Sequence, residues 1–144
     1  MPEEEFKERY NHYIPSTVEW GDMDAFQHVN NTVYFRYFER IRIDWFREFG
    51  FIRFMQEHKI GPILASTRCR FKVALEYPDS ILVGTYISEL QDDRFLMNYA
   101  IYSNKRNCIA AEGDGLIVNY DYNTGKKANI PAEIKTRLHD SINS

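Results

Sequence analysis

Residues 20–34 bring Asp22, Asp24, His28, Asn30 and Asn31 into one polar turn, directly ahead of a strongly apolar helical pattern. A helix beginning near Asn31 aims its unpaired N–H groups and its positive dipole end back at that turn. An oxyanion could be held there, with the Asp24 carboxylate beside it, which is an arrangement for attacking a carbonyl carbon. Asp24 can serve as nucleophile or as base on water, or it can merely cap the turn. His28 can orient a water or the reacting group, or accept a hydrogen bond that sets the loop. Asn30 reads as the N-cap of the helix, its side-chain oxygen reaching an N–H two or three residues ahead. Tyr34, one turn in, reads as a core residue whose hydroxyl lines a pocket. Asp22 falls by alternation on the face of Val18 and Trp20, where hydrogen bonding to the loop is its expected work. Glu39 lies about 12 Å beyond Asn31 along a helix axis, too far to share one carbonyl with it. It reads as a partner of Arg40 or Arg42, or as an interface residue.

These groups need a scaffold. Alternation over 17–20, after Pro15, predicts a short first strand leading into the turn. From Asn31, Tyr34, Tyr37, Phe38, Ile41, Trp45 and Phe49 recur at spacings of three and four, predicting one long helix that stops at Gly50. A short helical patch over 52–57 follows. Runs over 63–73, 80–90, 94–103 and 108–120 read as strands, the last three joined by polar turns as a meander. Pro131 opens a final short helix carrying Ile134, Leu138 and Ile142. A helix this aromatic must be covered, so the class is α+β, with a curled antiparallel sheet wrapped around a central helix. The sheet leaves an edge, which pairing with a second copy would satisfy.

At 144 residues, with 44% hydrophobic and 15% aromatic residues, the chain fits a single domain spanning 1–144 with a real core. A net charge of −3 argues against nucleic-acid binding through bulk positive charge. Ser66, Arg68, Arg70 and Lys72 nevertheless alternate along one strand, giving a local cationic face for phosphates. Cys69 and Cys108 have no CxxC spacing and read as buried reduced thiols. Residues 1–10 are polar and acidic without an apolar signal core, and no stretch approaches a membrane span. A cytoplasmic protein without a membrane partner is the expectation.

The D-x-D turn at Asp22 and Asp24, the run His28-Val29-Asn30-Asn31-Thr32-Val33-Tyr34 and the helix behind it resemble the hotdog-fold acyl-CoA thioesterase superfamily, in particular its 4-hydroxybenzoyl-CoA thioesterase-like branch. Weaker similarity at Phe38-Glu39, Arg70-Phe71-Lys72 and residues 125–131 extends it over nearly the whole chain. The resemblance implies a hotdog fold of about five strands, hydrolysis of an acyl thioester to free acid and coenzyme A, and active sites at a dimer interface. It carries the catalytic carboxylate onto Asp24 and the carbonyl-polarising N–H onto Asn31, with His28 beside them. Arg70 and Lys72 would then meet the phosphates of coenzyme A, while Asn30 and Tyr34 border the substrate. Phe35, Tyr37, Phe38, Phe95 and Met97 are mostly core, with breadth to line an acyl pocket. Neither a metal nor a cofactor is required, since coenzyme A belongs to the substrate; the expected assembly is a homodimer or homotetramer. Plant acyl-carrier-protein thioesterases carry an Asn where this chain has Phe26, and hydratases of the fold carry an Asn-Pro pair absent from Ala25-Phe26-Gln27. The first departure favours the simpler bacterial-type mechanism, and the second argues against a hydratase. The rival from another class is a non-hydrolytic acyl-CoA binding or sensing protein of the same fold.

Overall fold

The structure, a computed structural model, describes residues 2–143. Its elements run α1 (Pro2–Arg9), β1 (His12–Thr17), a 3₁₀ turn (Trp20–Asp22), α2 (Asn31–Glu48), α3 (Phe51–His58), β2 (Ile60–Phe71), β3 (Ser80–Ser88), β4 (Arg94–Ser103), β5 (Cys108–Asp121), β6 (Lys126–Lys127) and α4 (Ala132–Asn143). Every strand pairing is antiparallel, in the order β1-β3-β4-β5-β2, with β6 added to β5. The sheet curls into a half-barrel around α2, as the α+β hotdog reading predicts.

Side-chain alternation divides the sheet cleanly. Phe95, Met97, Tyr99 and Ile101 of β4, with Ile81, Val83 and Ile87 of β3, face inward and pack with Val33, Tyr34, Tyr37, Phe38, Ile41, Trp45 and Phe46 of α2. Each of these buried side chains contributes about 2 kcal/mol of transfer free energy, so α2 is held by its tertiary contacts. Phe38 lies flat on Tyr99, with ring centroids 4.8 Å apart. Gly113 on β5 makes that approach possible: a Cβ there would stand 2.7 Å from Phe38 Cε2 and 2.4 Å from the Arg68 carbonyl oxygen. The intervening residues Leu82, Ala100 and Tyr102 face outward and meet Phe6 and Tyr10. Gly50 ends α2 in a left-handed conformation, φ +90°, which glycine adopts without strain. Ile130, Ile134 and Leu138 then bring α4 against the inner core.

Several boundaries differ from the sequence reading. The first strand is His12–Thr17 rather than 17–20, and Pro15 sits within it, tolerated because β1 is an edge strand. Residues 19–22 are drawn instead into a reciprocal capping box between Glu19 and Asp22, which turns the chain out of the strand. Trp20 is consequently 75% exposed while Val18 is buried, so the strand alternation assumed for Asp22 does not apply. The helix α1 is absent from the sequence reading, because it buries only Phe6 within its span and has a weak apolar stripe. The second strand covers 60–71 rather than 63–73, with a bulge between Leu64 and Ser66. The two-residue β6 raises the strand number from about five to six. Cys69 and Cys108 are free but only half-buried, and burial pushes the Cys69 thiol up to about 11.

Candidate active site

The polar turn folds as a miniature hairpin. Met23 and Val29 form an isolated antiparallel bridge, the Asp24 N–H donates to the His28 carbonyl at 2.9 Å, and Gln27 takes a positive φ of 66° at the tip. Asp24 Oδ1 accepts the Phe26 N–H at 2.9 Å, an Asx turn that fixes the carboxylate through backbone alone. The hairpin is anchored on both sides. The Val29 N–H donates to the Leu75 carbonyl at 2.8 Å, and the Asn30 N–H to the Asp22 carbonyl at 2.9 Å.

Asn30 caps α2 as its sequence position predicts, its Oδ1 accepting from Thr32 N at 3.0 Å and from Thr32 Oγ1 at 2.8 Å. The Val33 N–H closes on the Asn30 carbonyl at 2.9 Å. Among the described residues no acceptor takes the Asn31 N–H. It remains the first free donor at the positive end of an 18-residue helix.

Asp24, His28, Asn31, Tyr34 and Lys72 line one cleft of about 510 Å³, together with Phe26, Val29, Phe71, Val73 and Ala74. The structure thus brings together five of the seven residues singled out from sequence. Asn30 acts from behind, through the helix cap. Arg70 stands elsewhere, in a separate depression with Arg68, Cys69, Glu112, Gly113 and Asp114. Parity along β2 explains this: Phe71 faces α2, its ring 4.9 Å from that of Tyr34, whereas Arg68 and Arg70 face outward. Lys72 spans both places, lining the cleft while its ammonium pairs closely with Glu112 on the outer face.

The phenol of Tyr34 is buried and its oxygen accepts the Leu75 N–H at 3.1 Å. Burial raises its pKa, so it stays neutral and polar at the cleft wall. Asp22 is occupied structurally, its Oδ2 accepting from Glu19 N at 2.9 Å and from the Tyr37 hydroxyl at 3.2 Å. Neither predicted partner joins Glu39: Arg42 reaches the Tyr99 hydroxyl at 3.3 Å and Arg40 the Ser16 hydroxyl at 3.4 Å. Of the side chains considered for a pocket, Tyr37, Phe38, Phe95 and Met97 are fully buried core, and Phe35 is 36% exposed. Val73 and Ala74 went unread in sequence, and Phe71 entered only through the Arg70-Phe71-Lys72 similarity, although alternation against Arg70 and Lys72 turns it inward. Among the described residues, no three His, Cys, Asp or Glu side chains are grouped so as to hold a metal ion, and no helix is long and apolar enough to cross a membrane.

A carboxylate held by backbone, a free helix-terminal N–H and an apolar wall in one cleft can accept a flat carbonyl group and stabilise charge on its oxygen. Comparison with known proteins agrees with that chemistry. Residues 18–138 match the model of the Thioesterase-like superfamily. The chain is 28% identical over 124 residues to a protein of Aquifex aeolicus whose name gives it as an inferred esterase, covering 85% of this chain and 94% of that one. A Staphylococcus aureus hypothetical protein solved in complex with CoA superposes with a TM-score of 0.86 at 13% identity, over 92% of this chain and 84% of that one. A 1,4-dihydroxy-2-naphthoyl-CoA thioesterase from Synechocystis gives 0.79 at 18% identity, over 90% and 96%.

Proposed function

The chain belongs to the Thioesterase-like superfamily and is a thioester hydrolase, and from that premise we propose that its substrate is an acyl-CoA, with Asp24 as the catalytic carboxylate. The thioester carbonyl oxygen takes the Asn31 N–H, and the apolar acyl group lies along Val29, Tyr34, Phe71 and Val73. Asp24 then either attacks the carbonyl carbon, expelling the coenzyme A thiolate and leaving an acyl-aspartyl anhydride for water to open, or removes a proton from the water that attacks. His28, across the hairpin from Asp24, orients that water. A thiolate is a good leaving group, so the reaction asks for no metal and no cofactor. The single observation that carries this reading is the shared cleft of Asp24 and the unengaged Asn31 amide.

Lys72 and Arg70 meet the coenzyme A phosphates, Lys72 at the cleft itself and Arg70 farther along the outer face. The CoA complex of the Staphylococcus aureus neighbour supports a ligand of this type. We read residues 1–144 as one hotdog domain acting in the cytoplasm as a homo-oligomer, with no nucleic acid or membrane as partner. The support for a second copy is β2, which among the described residues has no strand on its outer edge, and the exposed apolar side chains of its own Leu64 and Phe71 and of Phe35 and Ile43 on α2.

A thiol-release screen across short, long and aromatic acyl-CoAs tests the proposal, with Asp24→Asn as control. Release by the wild type and its loss in the variant is the expected result. Tight acyl-CoA binding with no thiol released, and equal binding by Asp24→Ala, would instead identify a sensor.

A further inference from the structure

Glu112 sits on β5 directly across from Arg70 of β2. Its side chain lies on the outer face of the sheet, away from α2, and is only 19% exposed. There the Tyr10 hydroxyl, just beyond α1, donates to Oε2 at 3.3 Å. The other oxygen takes the Lys72 ammonium in a close ion pair, with the Arg70 guanidinium 3.8 Å away. One acid therefore collects two cations and neutralises only one of them. Asp114 is engaged separately, by Arg68 at 2.7 Å.

Gathering cations in this way has a physical consequence. Lysine and arginine stems are long and flexible, and two like charges brought close together repel one another. A carboxylate at their centre holds them in place, while each cation keeps N–H donors that point elsewhere. Tyr10 fixes the far oxygen, so α1 contributes to where the cluster stands. Lys72 belongs to this cluster and to the lining of the Asp24 cleft, so the cluster begins at the cleft rim.

We propose that Glu112 is a positioning residue for phosphate recognition: it assembles Lys72 and Arg70 into a preformed cationic rim for the phosphates of coenzyme A. The inference rests on the acyl-CoA reading given above. It assigns to Glu112, an acid that itself would repel phosphate, a favourable role in binding it.

The test titrates the full chain calorimetrically with coenzyme A and with pantetheine, which carries the same thiol arm without the nucleotide phosphates, alongside thiol-release kinetics. Glu112→Ala is expected to weaken coenzyme A binding about three- to five-fold. Glu112→Gln, which keeps an uncharged acceptor for Tyr10 and Lys72, weakens it less. Pantetheine binding stays the same in both, and KM for acyl-CoA rises in step while kcat holds. Unchanged or tighter coenzyme A binding in the variants overturns the proposal, as does an equal loss for pantetheine, which would mark a purely structural role. Should Glu112→Ala not fold, Glu112→Gln decides by the same criteria. A wild type that binds coenzyme A in a Glu112-dependent way but releases no thiol defeats the hydrolase reading and leaves this one standing. A wild type that does not bind coenzyme A defeats this one.

Discussion

Asn30 Oδ1 lies 3.0 Å from the Thr32 amide nitrogen and takes its hydrogen bond, which leaves the neighbouring Asn31 N–H as the donor that α2 presents to the cleft. The cap therefore sets the direction of a group it never touches. Asn30→Ala is expected to lower stability by about 1 kcal/mol and to reduce kcat as the first turn of α2 frays. Asn30→Asp, which keeps the acceptor, should retain the stability of the wild type. Denaturant melts of both variants, read beside their thiol-release rates, check this.

Asp24→Asn keeps an oxygen for the Phe26 N–H, so the hairpin should survive and the melting temperature should stay close to that of the wild type. The rate of thiol release is expected to fall about a hundred- to ten-thousand-fold. In a single turnover of the wild type in ¹⁸O-labelled water, label found in Asp24 marks attack by the carboxylate; label confined to the released acid together with no acyl-enzyme trapped by hydroxylamine marks a base.

Lys72→Glu should raise KM for acyl-CoA about ten-fold with a smaller change in kcat, since it reverses a charge at the cleft itself. Arg70→Glu should raise KM less, because its side chain lies in the separate outer depression. Equal KM values for wild type and both variants would remove these residues from substrate binding.

Gly113→Ala would drive a methyl group into Phe38 and the Arg68 carbonyl. The backbone oxygen cannot turn aside as a flexible side chain would. A loss of about 1–3 kcal/mol is expected, measured as a lower denaturation midpoint at an unchanged slope.

Burial, above all, pushes the Tyr10 phenol up to about 12 from its ordinary value near 10. A raised pKa in the folded state means that the stability contributed by the neutral form is fully present below pH 10 and is lost as pH climbs toward 12. Wild type should therefore weaken across that window more steeply than Tyr10→Phe. Stability curves at pH 9, 10 and 11 measure the difference, and parallel curves would contradict it.

The long helix was legible because its apolar residues recur with one period, and nothing else in the chain competes for that face. Its start at Asn31 was legible from a single cap. The strands over 94–103 and 108–120 were found almost to the residue, since polar turns bound them on both sides. The first strand was misplaced because Glu19 and Asp22 form a local pair that breaks the alternation running through Val18 and Trp20. Pairs of that kind are fixed by three-residue geometry rather than by period. The helix α1 was not legible because it buries only Phe6 within its span, and its partners, Leu82, Ala100 and Tyr102, reach it only through the fold. The role of Glu112 was hidden for a related reason: it depends on β2 and β5 lying side by side, a register that periodicity does not specify.

The loop that carries Asp24 is steadied by the main chain of Phe26, while the phenyl ring of that residue is left 81% exposed at the mouth of the cleft. Every amino acid but proline supplies the same amide. Selection can therefore vary the group at the mouth of the cleft without disturbing the carboxylate behind it, so what the cleft admits and how that acid is held can evolve along independent routes.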